Sequence, residues 1–173
     1  MDKLERCFNG SREIPPRLLQ KEVSINAAEA HLKKAEGNLL TMEILLREKR
    51  FDWSVVAAYY AMYHATLSLL WLIGIDARSH ECAIAAFETF YAKKGKVSSK
   101  YVEHLTHAKN MSEQYAETLE QIKTLRTKAS YGIGEIKSPD TEFAKIKAKE
   151  FVSAVREILF EAKGSSYERI EVP

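Results

Sequence analysis

Two stretches of this chain carry side chains able to do chemistry. The first is Tyr59-Tyr60-Ala61-Met62-Tyr63-His64, in which Tyr60 and His64 stand four residues apart and therefore share one face of a helix. Phenols and an imidazole in an apolar segment need hydrogen-bond partners. Two readings follow: polar tips satisfied by neighbouring helices, or a polar seam that supports a site or a dimer contact. The second stretch centres on Arg126, flanked by Lys123 and Lys128, with no acid between Gln121 and Ser130. At about 100° per residue, Arg126 falls within the arc swept by Tyr115, Leu119, Ile122 and Ala129, so it points inward or toward a partner. An arginine placed there requires an anion. Either it is paired structurally with a carboxylate or helix-end carbonyls, or its planar fork grips a phosphate. The run without acids favours an anionic ligand. A third pair, His104 and His107, has the spacing of two ligands on one helical face but lacks the further ligands a metal site needs. A solvated basic loop accounts for it. Gly-rich phosphate loops, a GxSxG elbow, HExxH and CxxC are all missing, so no cofactor or metal is called for.

The elements that must position these residues are helices. From Ile25 the positions Ile25, Ala28, Leu32, Ala35, Leu39, Met42 and Leu46 recur at spacings of three and four, which is one stripe of a long helix. Glu29, Lys33, Lys34, Glu36 and Glu43 lie opposite. A second helix runs from about residue 52 to 73 and closes at Gly74. It is apolar nearly all round and belongs at the centre of a bundle. Ser79 caps a third helix with Ala83, Phe87 and Phe90 on one face, ended by Gly95. A connector with Lys93, Lys94, Lys96 and Lys100 follows, either a solvated loop or a source of phosphate contacts. The fourth helix spans about 111–129. Ser138-Pro139-Asp140 opens a fifth, with Ala144, Ala148, Phe151, Val155, Ile158 and Ala162 inward and Gly164 at its end. No strand alternation is visible. The expected fold is an all-α, up-and-down helical bundle of four to five helices. Residues 1–22 form an N-terminal arm, 23–163 the bundle domain and 164–173 a polar tail.

Composition agrees. The chain has 173 residues, 26 Lys+Arg against 24 Asp+Glu, 46% hydrophobic residues, 7 Gly, 4 Pro and 2 Cys, which suits one globular domain and excludes collagen-like, disulfide-scaffold and mostly disordered chains. A net charge of +2 does not by itself announce nucleic acid. Cys7 and Cys82 read as reduced thiols of a cytoplasmic protein, and the charged N-terminus holds no signal-peptide core. The uncharged run 53–75 is about as long as a membrane span, but its central Tyr, His, Ser and Thr residues place it inside protein.

The pattern Ala57-Ala58-Tyr59-Tyr60-Ala61-Met62-Tyr63-His64-Ala65, then Gly74, Ser79-His80, Phe87 and Phe90 before Lys94-Gly95, and Arg126 with Tyr131 five residues later, resembles the HEPN family. It is most similar to small prokaryotic members with an AYYAMFHA-type second helix, and the resemblance spans about residues 23 to 163. It implies an all-α bundle that dimerises. Family members include metal-independent RNases acting as toxins or in RNA defence, and partners of minimal nucleotidyltransferases in toxin–antitoxin pairs. In the RNases an Arg-x4-6-His motif from each subunit meets across the dimer, the arginine stabilising phosphate charge and the histidine assisting the ribose 2′-hydroxyl. Here Arg126 matches the arginine, Thr127 stands where many members have Asn or Asp, and Tyr131 occupies the histidine position. Tyrosine, with an ordinary pKa of about 10, is a poor general base at neutral pH.

The resemblance therefore implies a homodimer that binds nucleotide or RNA phosphate at a dimer-interface site, in a toxin–antitoxin or nucleotidyltransferase-associated system, with weak or no RNase activity. Arg126 and Tyr131 would hold the motif positions, with Lys123, Lys128, Tyr60, His64 and His80 as further ligand-binding candidates. Two alternatives stand beside it: an active metal-independent endoribonuclease toxin, with His64 or His80 reaching the site, and a structural protein-interaction domain in which Arg126 pairs internally.

Overall fold

A computed structural model describes residues 3–92, 121–127 and 138–164 of the chain. Its elements are α1 (Lys3–Asn9), β1 (Leu18–Gln20), α2 (Ile25–Arg47), α3 (Phe51–Trp71), β2 (Ile75–Ala77), α4 (His80–Phe87), a helical segment over 121–127 designated α5, and α6 (Ser138–Gly164). The all-α bundle is as expected. Helix α3 packs against α2, α4 and α6, with Val55, Ala58, Tyr59, Ala61, Met62, Ala65 and Leu70 fully buried. The uncharged run is thus the bundle's core, and among the described residues no helix is long and apolar enough to cross a membrane.

Each long helix follows from its sequence. Ser24 caps α2 by accepting a hydrogen bond from the Ala27 amide at 3.2 Å, and the stripe Ala28, Leu32, Ala35 and Met42 is buried. Small residues let α2 and α3 approach closely enough for the Ser68 hydroxyl to donate to the Ala28 carbonyl at 2.8 Å. Helix α6 buries Ala144, Ala148, Phe151, Val152, Val155, Leu159 and Ala162. Its outer edge carries a register device. Glu29, Glu36 and Glu43 of α2, seven residues apart, pair with Lys163, Arg156 and Lys149 of α6 in antiparallel order, the Arg156 Nε to Glu36 Oε1 distance being 2.8 Å. Exposed pairs of this kind contribute little stability each, but a repeated heptad ladder admits one alignment of two helices.

Three expectations are corrected. The arm expected over residues 1–22 is structured in its described part: α1 packs on α4, and β1 pairs antiparallel with β2, Leu18 opposite Ala77, Leu19 opposite Asp76 and Gln20 opposite Ile75. Three-residue strands are too short to show alternation. Gly74 makes the junction, with φ +70° and the Lys21 carbonyl lying 2.3 Å from where a β-carbon would stand. Cys7 and Cys82 are not free thiols but a disulfide, because the α1–α4 packing brings their Cα atoms to 5.7 Å, within bridging range. Cysteine usage therefore no longer argues for a reducing compartment. Ser79 does precede α4, but its side chain makes no capping bond. Beyond Phe87 the helix widens into a π-turn, Glu88–Ala92, that keeps Phe90 buried.

Candidate functional site

Helix α3 presents Tyr59, Tyr60, Tyr63 and His64 along its length, α2 contributes His31, the first turn of α4 contributes His80, and α5 contributes Lys123 and Arg126. His80 is held on two sides. Its ring stacks on Tyr63 with centroids 3.9 Å apart and planes 6° from parallel, and its Nδ1 is hydrogen-bonded to the Tyr59 hydroxyl. Tyr60 meets the same ring edge-on at 6.0 Å. With Nδ1 engaged, Nε2 is the nitrogen left to face a ligand.

Arg126 also packs on Tyr59. Its guanidinium carbon lies 5.2 Å from the Tyr59 ring centroid, in cation–π range. Its Nε is buried and has no hydrogen-bond partner among the described residues. A buried N–H without an acceptor costs about 1–3 kcal/mol, so the guanidinium sits where an anion would satisfy it. Lys123, one turn earlier on α5, is 3.9 Å from the Glu81 carboxylate.

Charge and burial keep the imidazoles neutral. Burial lowers the pKa of His80, and the nearby Arg126 and Lys123 cations lower it further. His64 is pushed down to about 4 by burial, then by His31, Lys34 and His80. Burial and Lys34 also lower His31, with Asp76 opposing. His31 and His64 share a hydrogen bond between their Nδ1 atoms at 3.1 Å, which needs one ring to donate and the other, unprotonated there, to accept. Tyr63 is raised by burial first and then by its nearness to Tyr60 and Asp76, so it remains a phenol. The arrangement is a guanidinium beside a neutral, oriented imidazole, which suits recognition of an anion carrying a hydrogen-bonding oxygen.

Of the residues singled out from sequence, Arg126, Lys123, His80 and Tyr60 gather at one place. His64 pairs with His31 instead and reaches His80 through Tyr63, its ring 5.8 Å from the Tyr63 ring. Tyr131 and Lys128, like His104, His107 and the connector lysines, lie outside the described residues. Tyr59 and Tyr63 belong to the tyrosine cluster legible in the sequence but not to the ligand-binding candidates drawn from it, and His31 is not singled out there. Tyr59 is completely buried and reads as core, while His31, three residues after Ala28 and four before Ala35, sits on the edge of the apolar stripe, a place that signals an inward polar group. Among the described residues no three His, Cys, Asp or Glu side chains are grouped for a metal.

The HEPN domain model matches residues 28–164. A UPF0332 protein of Pyrococcus horikoshii is 35% identical over 82 residues, covering 47% of this chain and 58% of its own length. A candidate toxin of Methanocaldococcus jannaschii is 26% identical over 144 residues, covering 83% of this chain and 96% of its own. A UPF0332 protein of Gloeobacter violaceus is 29% identical over 80 residues, covering 46% and 64%. The match thus spans less than two thirds of either UPF0332 relative. No solved structure matches the chain.

Proposed function

Because the chain belongs to the HEPN domain family, we propose that it is a phosphate-binding protein of the toxin type, taking RNA or nucleotide phosphate at Arg126. The observation that carries this reading is the buried Arg126 Nε, which has no acceptor among the described residues, with its guanidinium over the Tyr59 ring. The similarity to a candidate toxin over most of both chains supports the biological setting, in which a minimal nucleotidyltransferase is the expected partner. This reading includes a homodimer, for which light scattering should give a mass twice that of the 19.7 kDa chain. A chain-sized mass at micromolar concentration contradicts that. The binding test is titration of fluorescently labelled AMP and labelled single-stranded RNA into wild type and Arg126→Ala. Losing a charge-assisted phosphate contact should cost about 2 kcal/mol, roughly 30-fold in affinity. Equal affinity in the two proteins would remove Arg126 from the site.

A second reading has its own support. His80, kept neutral by burial and by the nearby Arg126 and Lys123 cations, is hydrogen-bonded through Nδ1 to the Tyr59 hydroxyl, and in the tautomer whose Nδ1–H donates to that hydroxyl its Nε2 is a proton acceptor. That reading is a metal-independent endoribonuclease in which His80 fills the chemical role that Tyr131 fills poorly.

A further inference from the structure

Across the first turn of α4 from Arg126 lies a second feature, built largely by residues that precede the family match at residue 28. It is a cleft of about 490 Å³ lined by Lys3, Arg6, Arg17, Ser11 and Ser79, with the Cys7–Cys82 disulfide as part of its wall. Among the described residues of its lining, Lys3, Arg6 and Arg17 accompany one carboxylate, Glu81, and Glu81 is within reach of Lys123. Ser79 and Glu81 flank His80 in the chain, so the cleft and the Arg126 centre share the α4 N-terminal turn. The cationic wall is held in place. The Arg17 amide donates to the Cys7 carbonyl at 2.8 Å, the Arg78 amide donates to the Arg17 carbonyl at 2.8 Å, and the disulfide fastens α1 to α4.

A mononucleotide bound at Arg126 would have no use for Lys3 and Arg17 across this turn. A strand with a phosphate at every nucleotide would. We propose that the cleft is a second phosphate subsite, and that the ligand of the Arg126 centre is a single RNA strand running past His80 and Glu81 to Lys3 and Arg17. This inference rests on the phosphate site proposed at Arg126 and names its ligand class. Hydroxyls of Ser11 and Ser79 supply uncharged donors to the same phosphates.

The test compares anisotropy binding of a labelled 12-nucleotide single-stranded RNA and of labelled AMP to the oxidised protein, to Lys3→Ala/Arg17→Ala and to Arg126→Ala. Lys3 and Arg17 have exposed side chains, and Arg17 anchors its turn through backbone groups, so the double variant keeps the fold; matching thermal melts check this. RNA affinity should fall about tenfold or more in the double variant, with AMP affinity unchanged. The slope of log affinity against log salt should flatten by about 1.4, two phosphate contacts at roughly 0.7 each. RNA affinity and slope equal to wild type in the double variant overturn the subsite, as does an RNA that wild type fails to bind. Failure of the Arg126 reading looks different: Arg126→Ala then binds AMP and RNA as wild type does, while the double variant still loses RNA. A polyglutamate that displaces the RNA as well as unlabelled RNA does, at equal charge, would make the cleft an acidic-protein surface and overturn the assignment.

Discussion

The Arg126 guanidinium lies over the ring of Tyr59, 5.2 Å from its centroid, while the hydroxyl of that same tyrosine holds His80. One buried phenol thus joins the cation to the imidazole. Since the Arg126 Nε has no acceptor among the described residues, its interactions add little to folding. Arg126→Ala is expected to leave Tm within about 3 °C of wild type while phosphate affinity falls roughly 30-fold. A fall of 10 °C or more by calorimetry would show that the guanidinium holds the fold, as the interaction-domain alternative requires.

If the protein cleaves RNA in the presence of chelator, His80→Gln should lower the rate at least a hundredfold, the usual scale of a general base. The wild-type rate should be level near pH 7 and decline only well below the ordinary histidine value of 6.5, because burial, Arg126 and Lys123 lower the pKa of His80. An acid limb centred above pH 7, or full activity in His80→Gln, would remove His80 from proton transfer.

Acid should destabilise the fold before its carboxylates titrate. His31, His64 and His80 all have lowered pKa values, so the unfolded chain binds more protons than the folded one. Stability is then complete above pH 6.5 and is lost as pH falls from there toward about 4, where folded His64 takes up its own proton. Cations facing the imidazoles (Lys34, Lys123 and Arg126) act in this direction and Asp76 against it. Melting curves from pH 7.5 to 5 should show a steady fall in Tm, smaller in His64→Asn. A flat profile would contradict the neutral imidazole cluster.

Reduction should be costly. The Cys7–Cys82 bridge closes a loop across 75 positions, which in the loop-entropy account contributes about 4 kcal/mol, on the order of 10 °C for a chain of this size. The same loss is expected for Cys7→Ser/Cys82→Ser. Identical Tm values with and without reductant would mean that no bridge forms.

How much of this was legible depended on the length of the signal. The helix stripes of α2 and α6 and the all-round apolar α3 were readable because a three-four period repeats over 20 or more residues. Strands β1 and β2 were not, since three residues carry no period, and the disulfide joins elements whose contact depends on tertiary packing. The ladder of Glu29, Glu36 and Glu43 against Lys149, Arg156 and Lys163 was present in the sequence as two heptad series, but each series alone reads as a solvated face. Arg126 was identified by its phase against Ile122. The role of Tyr59 was hidden because a fully buried aromatic has the same sequence signature whether it fills space or joins two polar groups.

The clasp at Gly74, where the Lys21 amide donates to the Gly74 carbonyl at 2.8 Å and no β-carbon fits, changes what a domain boundary means for this chain. Leu18 is buried beside Ile75 and Ala77, so a protein trimmed to the family-matched residues 28–164 would lose a wall of the core along with its leading segment. The family boundary and the cooperative folding unit therefore do not coincide, and the amides of residues 18–21 should resist hydrogen exchange together with those at the end of α3.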